Sequence, residues 1–148
     1  MSYTNLEFSQ MTLEDFNSIK ENLLTDFDNF WNETTFENEL KSSHSYYIVA
    51  KIENEIVGFV GMKIVLNEAD IMNIVTKKDK RNLGIGTKLL QELLKTAKEK
   101  NISKLTLEVN ENNLPAIHVY EKLGFKKIAE RAKYYNNTYD AYIMQINI

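Results

Sequence analysis

Arg81-Asn82-Leu83-Gly84-Ile85-Gly86-Thr87 runs directly into a stretch whose apolar residues, Ile85, Leu89, Leu90, Leu93, Leu94 and Ala97, recur at helical spacing with lysines and glutamates opposite them. The period then changes. In Lys104-Leu105-Thr106-Leu107-Glu108-Val109 the apolar residues alternate, which places Leu105, Leu107 and Val109 on one face of a strand and Glu108 on the other. Ile71 to Thr76, just upstream, reads as a further strand. Strand, glycine turn, helix, strand implies a parallel crossover, right-handed by default. The fold class that follows is α/β with a mixed sheet.

The rest of the chain fits around that unit. Downstream, Asn113 and Pro115 mark a helix start, Ala116, Ile117, Tyr120 and Leu123 form its stripe, and Gly124 supplies a left-handed end. Two closing strands are predicted near Phe125 to Ala132 and Tyr139 to Ile146. Upstream, Tyr46 to Ile52 and Ile56 to Leu66 flank Glu53-Asn54-Glu55 as a hairpin, and Gly58 and Gly61 in its second arm suggest a bulge or a close backbone approach. At the N-terminus a short strand through Leu6 and Phe8 precedes a helix, where Thr12 and Asp15 resemble a capping box before Leu13, Phe16, Ile19, Leu23 and Phe27. A second helix is predicted with Thr34 and Glu37 as its cap pair. The sheet is therefore expected to be mostly antiparallel around one parallel pair, in a single domain spanning residues 1–148.

Composition narrows the chemistry. The chain has 148 residues, five glycines and one proline, and shows no repeat or linker, so one core is expected. Zero cysteines exclude disulfides, thiolate nucleophiles and thiolate metal sites, and two histidines leave little for a metal centre, so no metal is expected. A net charge of −3 argues against general nucleic-acid binding. The N-terminus lacks a basic region followed by an apolar run, and no segment approaches ~18 consecutive apolar residues, so the expectation is a cytoplasmic protein with no membrane contact.

The basic run Lys77-Lys78-Asp79-Lys80-Arg81 leads into the glycine turn. Gly84 and Gly86 carry no side chains, so a phosphate can approach the backbone, and the first-turn N–H groups of the helix point at it with the positive end of the dipole. Two glycines alone fit a plain strand-to-helix turn equally well. Two other phosphate motifs fail. A dinucleotide fingerprint needs glycine where Leu89 stands, and a P-loop needs glycine at Arg81 and lysine after Gly86, where Thr87 stands.

Taken in order, Ile74-Val75-Thr76, the Arg81 to Gly86 turn, Leu107-Glu108-Val109 and Asn113 to Phe125 resemble the successive motifs of the GNAT acetyltransferase superfamily. Within it, Trp31 to Phe36, Glu68-Ala69 with Asn73-Ile74, and Arg131-Ala132-Lys133-Tyr134-Tyr135 resemble the RimI type, bacterial enzymes that acetylate the N-terminal alanine of a small-subunit ribosomal protein. The resemblance implies acetyl-coenzyme A as cosubstrate. It implies that Ile74, Val75 and Thr76 pair with the pantetheine arm, that Arg81, Asn82, Leu83, Gly84, Ile85, Gly86 and Thr87 hold the pyrophosphate, and that Asn113 touches the cofactor. Glu108 stands at the place of the general base and Tyr120 at that of the general acid, while Trp31, beside Phe30, and Tyr134 and Tyr135 resemble the walls of a peptide slot. Asn82 and Leu83 depart from the polar or basic residues usual in the turn.

The residues' own chemistry is compatible with those roles. A peptide α-amine has a pKa of about 8, so a carboxylate need only assist its deprotonation modestly. A tyrosine hydroxyl can protonate a departing thiolate, and a backbone N–H near Val75 can hold a developing oxyanion. By alternation alone, Glu108 reads as a solvated strand residue, and Tyr120 as a core aromatic. His118 is assigned no role. Three functions stay open: acetylation of a protein N-terminus, acetylation of another amine such as a lysine side chain, a polyamine or an antibiotic, and silent acyl-CoA binding. A monomer or a homodimer fits each of them.

Overall fold

The computed structural model describes residues 5–27, 32–135 and 139–148, with only the backbone at 133–135. Seven strands form one sheet: β1 (Leu6–Gln10), β2 (Ser45–Ile52), β3 (Glu55–Val65), β4 (Glu68–Thr76), β5 (Lys104–Asn110), β6 (Lys126–Tyr135) and β7 (Tyr139–Asn147). Their order is β1-β2-β3-β4-β5-β7-β6, antiparallel throughout except where β4 meets β5. Helix α4 (Ile85–Glu99) joins that parallel pair, as the change of period predicts. Glu53 (φ 50°) and Asn54 (φ 69°) both adopt left-handed backbone at the β2–β3 turn, the conformation whose twist matches a two-residue hairpin.

Side-chain alternation divides two cores between the faces of this sheet. Ile48 and Ala50 of β2 enter a cluster with Leu89 and Leu93 of α4, Leu105 and Leu107 of β5, and Tyr120 of α5 (Leu114–Lys122). Tyr47 and Val49, one residue out of phase, join Phe16, Phe27, Phe36 and Phe59 on the other face. The second cluster draws its strand residues from β2 and β3, with Val75 of β4 at its margin. Its helices are α1 (Leu13–Ile19), α2 (Leu23–Phe27) and α3 (Glu33–Lys41).

Two helix expectations need correction. The single helix expected after Thr12 is interrupted by a 3₁₀ turn, Lys20–Asn22. Phe16, Ile19, Leu23 and Phe27 still enter one core, so their spacing reports a shared face, whereas the break falls in polar residues that carry no periodicity. Helix α3 is capped by Asn32, whose Oδ1 accepts from the N–H groups of Thr34 (2.8 Å) and Thr35 (3.3 Å), so the helix begins before Thr34.

The expected capping box is present. Thr12 N–H donates to Asp15 Oδ2 (2.9 Å) and Asp15 N–H donates to Thr12 Oγ1 (3.0 Å). Asp15 is buried and also pairs with Lys51 of β2 (2.9 Å), which ties α1 to the sheet. Burial alone would raise its pKa. Hydrogen bonds from Lys51 and the Thr12 N–H, with the lysine's charge, outweigh that and hold it below the ordinary 3.8. A depressed folded-state value contributes stability above the unfolded pKa and loses it as the pH falls through the folded value. Asp15→Asn should therefore cost about 1–2 kcal/mol at neutral pH. Urea unfolding repeated at falling pH should show the gap to the unsubstituted protein closing below the ordinary carboxylate value.

Candidate active site

The polypeptide leaves β4 through Lys77 and a 3₁₀ turn, Lys78–Lys80, and bends twice before α4. Asn82 (φ 65°) and Gly84 (φ 81°) are both left-handed, on either side of Leu83. This accounts for the unusual Asn82, because asparagine tolerates that conformation better than most side chains. Gly84 is the N-cap of α4 and offers no side chain to it, and no acidic residue lies in the first turn. The first-turn N–H groups are thus left for an anion, in the kind of backbone concavity that binds phosphates. A Cβ built on Gly84 would meet nothing within 4 Å, so the turn opens onto free space.

Beside the turn, β4 parts from β5. Their pairing runs only from Glu68–Lys104 to Asp70–Thr106. On its other side β4 stays paired with β3 as far as Thr76, but the register skips Met72, which is a bulge between Ile71 and Asn73. From residue 71 onward the β5 side of β4 therefore lacks a strand partner, and a cavity of about 870 Å³ lies there.

That cavity gathers most of the expected cofactor residues. Ile74, Val75, Thr76, Arg81, Asn82, Gly84, Ile85, Gly86, Thr87 and Asn113 line it, as does Tyr120; Leu83 does not. Asn113 has a second task, since its Oδ1 accepts from Ala116 N–H (3.3 Å) as the cap of α5. Tyr120 is buried with its ring centroid 6.0 Å from that of Phe125. Pro115, Ala116 and Val119 of the same helix, with Leu90 of α4, add an apolar wall. Lys77 belongs elsewhere. It pairs with Glu55 of the hairpin (2.9 Å), and that hydrogen bond raises its pKa.

Glu108 lies outside this cavity, on the opposite face of β5 from Leu107, exposed, with Oε1 3.1 Å from Arg131 Nη2. Arg131 sits on β6, two strands away, and the pair runs diagonally across β7, where Glu108 is in register with Ile143 and Arg131 with Ala141. The sequence reading had Arg131 only as part of a resemblance; no local pattern foretells that β7 inserts between β5 and β6. Trp31 and Phe30 lie outside the described residues, as do the side chains of Tyr134 and Tyr135, whose backbones belong to β6. His118 is exposed. Among the described residues no group of three or more acidic or histidine side chains could hold a metal, and no helix is long and apolar enough to cross a membrane.

A helix N-terminus opened by glycine, next to a strand edge without a partner, suits a long ligand carrying a diphosphate at one end and amides along its length. Fold and site together define a coenzyme A-dependent transferase. Residues 16–125 match the model of the acetyltransferase (GNAT) family, and the chain belongs to that family. It is an acetyl-CoA-dependent N-acetyltransferase. It is 32% identical, over 98% of its length and 97% of the relative's, to a Bacillus subtilis (strain 168) protein to which ribosomal protein bS18-alanine N-acetyltransferase activity is ascribed. An N-alpha-acetyltransferase of Sulfurisphaera tokodaii is 34% identical over 74% of this chain and 73% of its own. The crystal structure of the ribosomal-protein-S18-alanine N-acetyltransferase from Escherichia coli superposes with a TM-score of 0.89 at 27% identity, covering 97% of this chain and 94% of that one.

Gly84→Val should weaken acetyl-CoA binding by about tenfold or more, because a β-branched residue resists the left-handed backbone and fills the space above the helix N-terminus. Titration calorimetry measures this directly, and an unchanged dissociation constant would contradict the turn assignment.

Proposed function

We propose that the chain acetylates the α-amino group of a protein N-terminus, that of ribosomal protein bS18 beginning with alanine. The observation that carries this reading is the length of the likeness. The Bacillus subtilis relative and the solved structure named for that activity align across nearly the whole chain, including the segments on both sides of the cofactor cradle. Trp31, Tyr134 and Tyr135 are the proposed walls of the peptide slot.

In this reading Ile74, Val75 and Thr76 receive the pantetheine amides along the free edge of β4, and the turn from Arg81 to Thr87 receives the diphosphate. Bound acetyl-CoA supplies an acetyl group activated as a thioester. Glu108 takes a proton from the incoming amine, directly or through water, and Arg131 fixes the orientation of its carboxylate. Tyr120 returns a proton to the departing sulfur from the α5 side, and a β4 backbone N–H near Val75 offsets charge building on the carbonyl oxygen. The new N–C bond replaces the C–S bond in one transfer, and the chain forms no covalent intermediate.

Tyr120→Phe should lower kcat roughly 100-fold while leaving acetyl-CoA affinity unchanged. A normal kcat would assign that protonation to another group. The substrate is tested with a synthetic peptide copying the bS18 N-terminus, compared with lysine, polyamine and aminoglycoside acceptors. Acetylation of the peptide at its α-nitrogen, seen by mass spectrometry, is the expected result. Turnover confined to the other amines would remove this reading.

A further inference from the structure

Two buried polar atoms in the described structure have no hydrogen-bond partner, the Asn73 side-chain Nδ2 and the Tyr47 hydroxyl. They lie on one transverse row of the sheet, since Tyr47 pairs with Gly61 across β2–β3 and Gly61 pairs with Asn73 across β3–β4. Gly61 is there for space. A Cβ at that position would lie 2.1 Å from the Tyr47 ring, so the ring occupies the room that a side chain would need. Burial, with the nearby Glu39 charge, pushes the Tyr47 hydroxyl far above the ordinary phenol value, so it is a neutral hydroxyl at any working pH. Buried polar groups in folded proteins are nearly always paired, and an orphan beside a cavity calls for an explanation.

Asn73 lines the cavity at the β4 edge, immediately after the Met72 bulge. Its place on the row puts it on the face of Tyr47 and Phe59, away from the α4 cradle that accounts for the diphosphate. Glu108 is on that same face. Ala69 and Leu105 pair in register and both enter the α4-side core, so Glu108, three residues after Leu105, points the other way. An amide NH₂ can only donate, so the missing partner is a hydrogen-bond acceptor. A peptide brings one of fixed position, because its first carbonyl is two bonds from the reacting nitrogen, whereas a lysine side chain or a polyamine has none there.

We infer that Asn73 Nδ2 donates to the carbonyl oxygen of the acceptor's first residue, and that this contact selects a peptide α-amine over amines without an adjacent carbonyl. The inference rests on the proposed function and adds the group that enforces it. Asn73 is a specificity residue, with the neutral Tyr47 as the polar wall behind it.

The test uses the full chain, acetyl-CoA, and two alanine-initiated peptides that differ only in their first carbonyl, one an amide and one a thioamide, whose sulfur is the weaker acceptor. For the unsubstituted protein, kcat/KM should fall roughly three- to tenfold on the thioamide peptide. In Asn73→Leu that difference should vanish, with normal acetyl-CoA affinity and a Tm no lower, since the amide gives up no internal hydrogen bond. Asn73→Asp, which keeps the shape but only accepts, should likewise lose the discrimination. An equal thioamide penalty in all three proteins would overturn the inference. So would a drop in acetyl-CoA affinity in Asn73→Leu, which would assign the donor to the thioester carbonyl, or a lowered Tm in both variants, which would make its role structural. Failure of the unsubstituted protein to acetylate either peptide would instead remove the proposed function, and this inference with it.

Discussion

β4 has a strand on both sides for its first three residues and on one side for the rest. Everything about the site follows from that change. Backbone N–H and C=O groups that face neither water nor a partner are costly, so an extended edge beside a cavity is kept only where something else supplies the pairing. An amide-bearing arm can act as the missing strand. The Met72 bulge lies where the parting occurs, and the glycine turn lies where β4 ends, so an arm paired along residues 74 to 76 would deliver its charged end to α4. The crossover helix required by two parallel strands is also the helix whose N-terminus is left open for an anion.

The parting also separates two kinds of work. The α4 and α5 face is densely packed and holds the cavity wall, including Tyr120. On the opposite face the helical cluster packs on β2 and β3, and beyond it Glu108 of β5 pairs with Arg131 of β6. Several local rules are broken near this boundary: a bulge, two left-handed residues within three positions, a glycine that yields its space to a tyrosine ring, and two orphaned polar atoms. Departures of this kind gather where a chain gives up local stability for binding.

How much of this could be read from residues alone depends on the range of the interaction. The change of period after Gly86 and again at Lys104 is local, and it reports the parallel pair. The capping box at Thr12, the positive φ of Asn54 and Gly124, and the close approach at Gly61 are local too, and the structure has them all. The 3₁₀ break at Lys20 was not legible, because apolar spacing records which face a residue presents and not whether the polar turn between is regular. Strand order was illegible for a different reason. β7 enters between β5 and β6 through contacts distant in sequence, so neither the Glu108–Arg131 pair nor the row from Tyr47 to Asn73 leaves a local trace. The glycine turn, made of consecutive residues, was legible; the Glu108–Arg131 pair, assembled across strands, was not.

This difference bears on why one cradle can serve many acceptors. The proposed diphosphate and pantetheine contacts would be made by backbone over short, contiguous segments, so they would persist under most substitutions that keep the two left-handed positions and the open edge. The acceptor face is made of side chains from separate strands, and a single change there alters charge or hydrogen bonding without disturbing the sheet. Glu108 and Tyr120 stand on opposite faces and are twelve positions apart, and as the proposed base and acid they could address one reacting centre only because β5 stops pairing with β4 before Glu108. If the strands stayed zipped past Asp70, the proposed base and acid would be divided by a continuous sheet. The gap is therefore a requirement of direct transfer between the two faces as much as a berth for the cosubstrate.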